Sequence, residues 1–334
     1  MFQLLRTLIP EEEPAIALLT RRCLRQRRHG FDCRRCLEAC PSGALRQEDN
    51  RIVYVSTSCS GCMRCTAVCP NDALISHYAV EECLQRLPEN GEILLRCDRR
   101  PQQRERQVTF PCLGILSDEA LLALLVRSRG PLHFDVTLCP QCPNRQGVET
   151  MLASLRRMGD LCRLLPCAEV VIVTDTTPAD GGERRQFLAG VAATLWSGAD
   201  CLGGEKTSGQ TPGDDTRRRM CNRRLLLKKT AAGLSRDHQE RFNTLANCRL
   251  ILSQNCRLCP RCAGICPSGA LRLAGSGAEK KLLFDASSCS GCGLCVDFCP
   301  HRALQLIDAP IHARCCDEQQ PPAPLAATSP PSQR

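Results

Sequence analysis

Cys289, Cys292, Cys295 and Cys299 stand with two, two and three residues between them, and Pro300 follows. Cys256, Cys259, Cys262 and Cys266 repeat the spacing ahead of Pro267, and Cys59, Cys62, Cys65 and Cys69 repeat it ahead of Pro70. A fourth run, Cys33, Cys36 and Cys40 before Pro41, lacks its first member because position 30 is Gly. Thiolates are soft ligands suited to zinc, copper(I) and iron–sulfur clusters. Zinc sites use pairs of C-x2-C separated by longer loops, unlike these runs. Three cysteines on one tight loop can take three corners of a [4Fe–4S] cubane, whose chemistry is one-electron transfer.

The runs, each closed by Cys-Pro, resemble those of bacterial-type dicluster ferredoxins over residues 23–78 and 248–311. In that family the cysteine before the proline ligates the neighbouring cluster. The resemblance implies complete ligand sets of Cys59, Cys62, Cys65 with Cys40, of Cys256, Cys259, Cys262 with Cys299, and of Cys289, Cys292, Cys295 with Cys266. Cys33, Cys36 and Cys69 would hold a fourth cluster that lacks one ligand. Cys23 is the nearest spare thiol and the preferred donor. His29 or Asp32 would serve less well, and a three-iron cluster or an empty site are the other outcomes. The module is duplicated: residues 40–45 and 266–271 both read CPSGAL, and 58–62 and 288–292 both read SCSGC.

The 334 residues suffice for two or three domains. Cysteine, 28 residues, is about 8% of the chain, a disulfide-scaffold level in short secreted proteins. Here an early acidic cluster replaces the basic-then-apolar start of an export signal. A reducing, cytoplasmic setting and metal-bound thiolates are therefore expected. No stretch approaches the ~18 apolar residues of a membrane span, although peripheral membrane contact stays open. The formal charge of +9 omits the cofactors. Four clusters with their thiolates add about −8, leaving the holoprotein near neutral. With aromatics at 3%, stacking platforms for bases are scarce, so nucleic acid is not an expected partner.

The expected class is α+β: two ferredoxin-like dicluster modules flank a small parallel α/β domain and a helical connector. Residues 1–22 form an N-terminal docking or capping segment with a helical pattern around Ile16–Leu19. Residues 23–78 are the first module, with RIVYVST as a strand between its runs. Residues 79–180 alternate strands (Glu92–Cys97, Val108–Cys112, His133–Leu138, Val170–Thr174) with helices (Asp118–Ser128, Gln146–Met158), the pattern of a parallel sheet. Residues 181–247 are a connector with a flexible loop, a helix around Arg184–Trp196 and a basic helical stretch from 216. That stretch reads as a surface helix packing leucines on the core, or as a partner contact. Residues 248–311 are the second module. Residues 312–334 are a disordered Pro-rich tail.

In the middle segment Cys97, Cys112 and Cys139 lie at or just after strand C-termini, and Cys142 follows on the last loop. Ligands bind at that edge of open α/β sheets. The four thiols suggest a further iron–sulfur site, [2Fe–2S] among the candidates. The lone Cys97, Cys112-Leu113-Gly114 before a helix, and Cys139 and Cys142 ahead of Asn144 resemble the iron–sulfur domain of the methyl-viologen-reducing hydrogenase delta subunit. The family's glycine before its third cysteine is Leu138 here, and its next spacing also differs. That resemblance implies relay of electrons between a hydrogenase or similar dehydrogenase and a partner. The rival is a dithiol site at Cys139-Pro140-Gln141-Cys142. Cys83, Cys162, Cys167, Cys201 and Cys221 suit buried free thiols. The adjacent Cys315 and Cys316 have no expected ligand role, and Cys248 has no vacancy to fill.

No flavin, nicotinamide or pterin fingerprint is present, and the six histidines are scattered. GGEKTSG lacks the spacing of a phosphate loop, and Arg184-Arg185 is too far from the start to be a twin-arginine signal. The function expected is an electron-transfer protein relaying single electrons through about four [4Fe–4S] clusters. Its expected partner is a dehydrogenase, hydrogenase or reductase acting as donor or acceptor. The alternative is a thiol–disulfide oxidoreductase at Cys139 and Cys142, fed by the clusters.

Overall fold

The computed structural model describes residues 15–76, 78, 80–87, 90–99, 107–161, 163, 165–174 and 218–312. Both ends of this span build the same unit. In the first, β1 (Ile16–Leu18) pairs antiparallel with β4 (Leu74–Ser76), around a hairpin of β2 (Leu45–Glu48) and β3 (Arg51–Tyr54). In the second, β9 (Arg249–Leu252) pairs with β12 (Leu304–Ile307), around a hairpin of β10 (Leu271–Ala274) and β11 (Lys281–Phe284).

Each cysteine run turns into a helix of four or five residues: α2 (Arg35–Ala39), α3 (Arg64–Val68), Arg261–Ile265 and Leu294–Asp297. The helices are short because each meets a Cys-Pro. The proline ring disfavours helical backbone in the residue before it.

The stretch around Ile16–Leu19, expected to be helical, is the strand β1 instead. Ile16 is buried in one core with Leu45, Ile52, Leu74, Cys23, Cys65 and Cys69. Pairing with β4 overrides the local pattern, so the unit begins before Cys23.

Between the units lies a parallel sheet in the order β6 (Gln107–Phe110), β5 (Ile93–Cys97), β7 (Leu132–Asp135), β8 (Val170–Val173). The expected strands and helices of this segment all appear, with bounds displaced by up to three residues. α4 (Val80–Arg86) packs against α5 (Asp118–Arg127), as does α6 (Arg145–Leu161). α5 is capped by Ser117, whose hydroxyl accepts from Ala120 N–H at 3.2 Å. It is buried on nearly every side from Glu119 to Val126, as a helix apolar all round must be.

The expected helix Arg184–Trp196, its flanking loop and the tail with Cys315 and Cys316 lie outside the described residues, as do Cys162 and Cys201. The basic stretch forms helices Asn222–Ala232 and Arg236–Ala246. Leu226 and Leu227 are buried as expected, but so are Arg223 and Arg224. Arg223 donates to the carbonyls of Ala67 and Cys69, each at 2.8 Å, and pairs with Glu119 at 3.3 Å. Arg224 donates to the carbonyls of Ala246, Ser287 and Ala286 at 2.6, 3.0 and 3.2 Å. These neighbouring side chains thus tie the first unit, α5 and the second unit to one helix. The helix is a central strut: Arg223 and Arg224 serve the interior, while Lys228 and Lys229 are exposed. Arg28 pairs with Asp297 and stacks over Phe298, 5.1 Å from the ring centre, joining the two units directly.

Two expectations follow. Arg223→Met leaves Glu119, 3% exposed, with His312 as its remaining cationic neighbour, so the holoprotein should lose up to about 3–5 kcal/mol in anaerobic denaturant unfolding. An unchanged midpoint would refute the strut. His312 contacts Asp118 at 3.1 Å and Glu119 at 3.5 Å. Burial disfavours its charge, but Glu119 and Asp118 outweigh that and raise its pKa to about 10. Its contribution is complete below the ordinary value of 6.5 and is lost as pH rises through about 10. Stability should therefore fall across that window, and His312→Gln should flatten the fall.

Candidate metal centres

Cys256, Cys259, Cys262 and Cys299 line one small pocket, with Leu282 and Leu304 in its wall. Burial raises the Cys262 thiol, and the charges of Cys259, Cys256 and Cys299 raise it further. This is a crossed set, three thiols from one run and one from the other. Its neighbour is formed alike: burial, then Cys292 and Cys266, push Cys295 up to about 12. In the first unit burial raises Cys65, with Cys62, Cys40 and Cys59 adding to it.

Cys23 is the thiol that joins the incomplete run. Burial pushes Cys36 up to about 12, and the charges acting on it are those of Cys69, Cys33 and Cys23. Cys33 likewise feels Cys69 and Cys23. The strand register explains the substitution. Cys23 follows β1 as Cys256 follows β9, so the two hold matching places in their units. The intervening loop carries α1 (Leu24–Arg27) and is clamped by the buried Arg25, which bonds Cys33 O at 3.3 Å, Asn50 Oδ1 at 2.8 Å and the Asp32 carboxylate. Asp32 is thereby committed, and His29 is exposed.

Cys248, nearly matched to Cys23 by sequence offset, sits elsewhere. Its thiol hydrogen-bonds Cys289 and lies 3.1 Å from where a Cβ on Gly291 would be.

Burial disfavours the thiolate at Cys33, Cys36, Cys65, Cys262 and Cys295, and repulsion from neighbouring sulfurs adds to it. A positively charged iron core relieves that repulsion, so the donor sets fit cubanes. Among the described residues no three His, Cys, Asp or Glu groups close on a single point; the thiols stand around gaps instead.

Backbone amides add to the fit. Gly61 N–H points at Cys59 Sγ (3.4 Å), Ala73 N–H at Cys69 (3.2 Å), Leu258 N–H at Cys256 (3.4 Å) and Ala303 N–H at Cys299 (3.4 Å). Such bonds favour the anionic sulfur and raise a cluster's potential. The turn that aims Gly61 has φ 67°, free for glycine, whereas Leu258 adopts φ 49° at the equivalent place and bears the strain.

At the C-terminal edge of the parallel sheet Cys97, Cys112, Cys139 and Cys142 converge. Burial pushes Cys139 up to about 12, with Cys97, Cys112, Cys142 and Asp135 contributing. The same amide-to-sulfur bond recurs here, from Gly114 to Cys112 and from Asn144 to Cys142, each at 3.4 Å. The Cys112 loop and α6 approach so closely that a Cβ on Gly114 would lie 3.0 Å from Gly147. Cys139-Pro140-Gln141 forms its own short turn, and α6 begins only at Arg145.

Residues 31–74 match the model of a 4Fe-4S dicluster domain, and residues 255–303 match another of the same description. The chain carries two 4Fe-4S dicluster domains. Both are iron–sulfur domains by that description. An "Iron-sulfur protein" of Rhodospirillum rubrum is 43% identical over 75 residues, which cover 20% of this chain and 38% of that relative. No solved structure matches the chain. No described helix is long and apolar enough to cross a membrane.

Beyond the cysteines, two arginines stand at the dicluster domains' borders. Arg35 acts on Cys33 and Cys292 and donates to Gly291 O at 2.8 Å. Arg64 acts on Cys62 and Cys112 and donates to Thr150 Oγ1 at 2.7 Å. The sequence carried a signal for both, an arginine directly before the third position of the run.

Cys23→Ser should cost the first domain one ligand. Iron should fall by about one atom or more per chain, with a three-iron EPR signal in the oxidised protein. Full iron and unaltered spectra would show that another group closes that set.

Proposed function

We propose that the chain is a polyferredoxin that carries single electrons along five aligned redox sites within a larger redox enzyme. The observation that carries this is the order of the thiol sets. Cys97, Cys112, Cys139 and Cys142 adjoin the Cys59 set through Cys62. That set adjoins the Cys23 set through Cys65 and Cys36. Arg35 spans from there to the Cys289 set, and Cys295 adjoins Cys262 of the last set.

When bound, the clusters supply one-electron reduction and oxidation. The protein's own part is to hold thiolates, keep water out and aim amides at sulfur. Cys69 is buried deeply enough that burial raises it despite amides from Asn71 and Ala73. Cys40 is lowered: burial opposes this, but Leu45 and Ala44 amides and the Ser42 hydroxyl prevail. Unequal hydrogen bonding of this kind would set unequal potentials along the line.

In the middle site a cluster of the [2Fe–2S] kind accounts better than a dithiol for four converging thiols with amide bonds. A nucleophilic dithiol cysteine needs a lowered pKa, whereas Cys139 is raised. A dehydrogenase, hydrogenase or reductase is the partner class, with donor and acceptor engaging opposite ends of the line.

Anaerobic holoprotein should contain about eighteen irons, sixteen in cubanes and two in the middle. The double variant Cys97→Ser, Cys112→Ser should lose about two irons and one EPR signal while the interacting [4Fe–4S] signals persist. About sixteen irons with four alkylatable middle thiols would restrict the conduit to the dicluster domains.

A further inference from the structure

An arginine precedes the third position in three of the four runs: Arg35 before Cys36, Arg64 before Cys65 and Arg261 before Cys262. Leu294 holds the place before Cys295 and is fully buried. Within a dicluster domain no connector is needed, since Cys65 feels Cys36 and Cys295 feels Cys262 directly. At the two junctions between units an arginine spans the gap. Arg35 reaches Gly291 beside Cys292, and Arg64 reaches toward Cys112 and bonds Thr150. Arg64 Nη1 is buried without a hydrogen-bond partner, so it faces its sulfur neighbours.

Arg261 has the same position in its run, but its set ends the line. It is exposed and makes no hydrogen bond or ion pair among the described residues. The cavity it borders carries Arg257 and His301 as well, both exposed, and no carboxylate lines it. Residues 249–265 contain no Asp or Glu at all. Leu252, 45% exposed, pairs with Leu304 of the cavity wall and supplies an apolar anchor.

We infer that this face, centred on Arg261, is where an external one-electron carrier with an acidic surface docks, Arg261 reaching across as Arg35 and Arg64 do inside. The inference rests on the conduit proposed above. The cationic rim matches an acidic partner, steers its approach and accelerates encounter at low salt. The apolar edge at Leu252 lies beside that rim, as in docking surfaces with an apolar centre and polar surround.

The test uses full-length, dithionite-reduced holoprotein mixed by stopped flow with an oxidised, strongly acidic flavodoxin. Arg257→Glu/Arg261→Glu should slow the second-order rate at least tenfold at low ionic strength and flatten its salt dependence. The cluster EPR signals should be unchanged. Arg156→Glu/Arg236→Glu, the same charge change on exposed helices elsewhere, should leave the rate as in wild type. If the first pair loses iron, Arg261→Leu carries the test, because it copies Leu294, and it should still slow the rate several-fold. Equal rates in wild type and the Arg261 variants, or equal loss from the control pair, would overturn the docking face alone. Protein whose clusters cannot be reduced at all would instead overturn the conduit.

Discussion

Crowded thiolates dominate this molecule. Each dicluster domain has little apolar core beyond its cysteines: eight core residues in one and seven in the other, of which three each are cysteines. Thiolates crowded at the centre of a fold repel one another unless positive charge lies among them. Cysteine-rich runs, four- and five-residue helices and strands of three or four residues therefore cohere only as a shell around iron. Folding and metal binding are one process in such units.

The arginines answer the same charge. A chain of formal charge +9 would become nearly neutral with four cubanes bound, each adding about −2. Much of the positive charge is structural: Arg25 clamps the loop behind Cys23, Arg223 and Arg224 take up carbonyls from both domains, and Arg35 and Arg64 stand between sulfur sets. A guanidinium can satisfy several carbonyls from one buried position because its donors fan out in a plane. One helix, Asn222–Ala232, thus fixes the spacing of sites far apart in the chain. In the conduit proposed above, that helix is what makes the two domains consecutive parts of one path.

The runs made the crossed sets legible, because ligand spacing is a short-range property that local backbone enforces. The parallel sheet was legible too, from four apolar strands alternating with two helices. The strand at Ile16–Leu18 was not, since three residues carry no usable period and its partner lies 58 positions away at Leu74–Ser76. Nor was the role of Arg223 and Arg224: basic residues in a helical pattern ordinarily face solvent, and only the fold brings carbonyls to them. Cys23 was legible as the preferred donor for the incomplete run, but not as the counterpart of Cys256. Its equivalence to Cys256 depends on strand pairing, and the offset in sequence pointed to Cys248 instead.

Hydrogen exchange before and after anaerobic iron chelation tests the dependence of fold on cluster most directly. Amides in residues 16–76 and 248–308 should be protected in the holoprotein and exchange freely once iron is removed, with α5 and the central sheet losing less. Iron-free protein that keeps full protection in both dicluster domains would contradict the account.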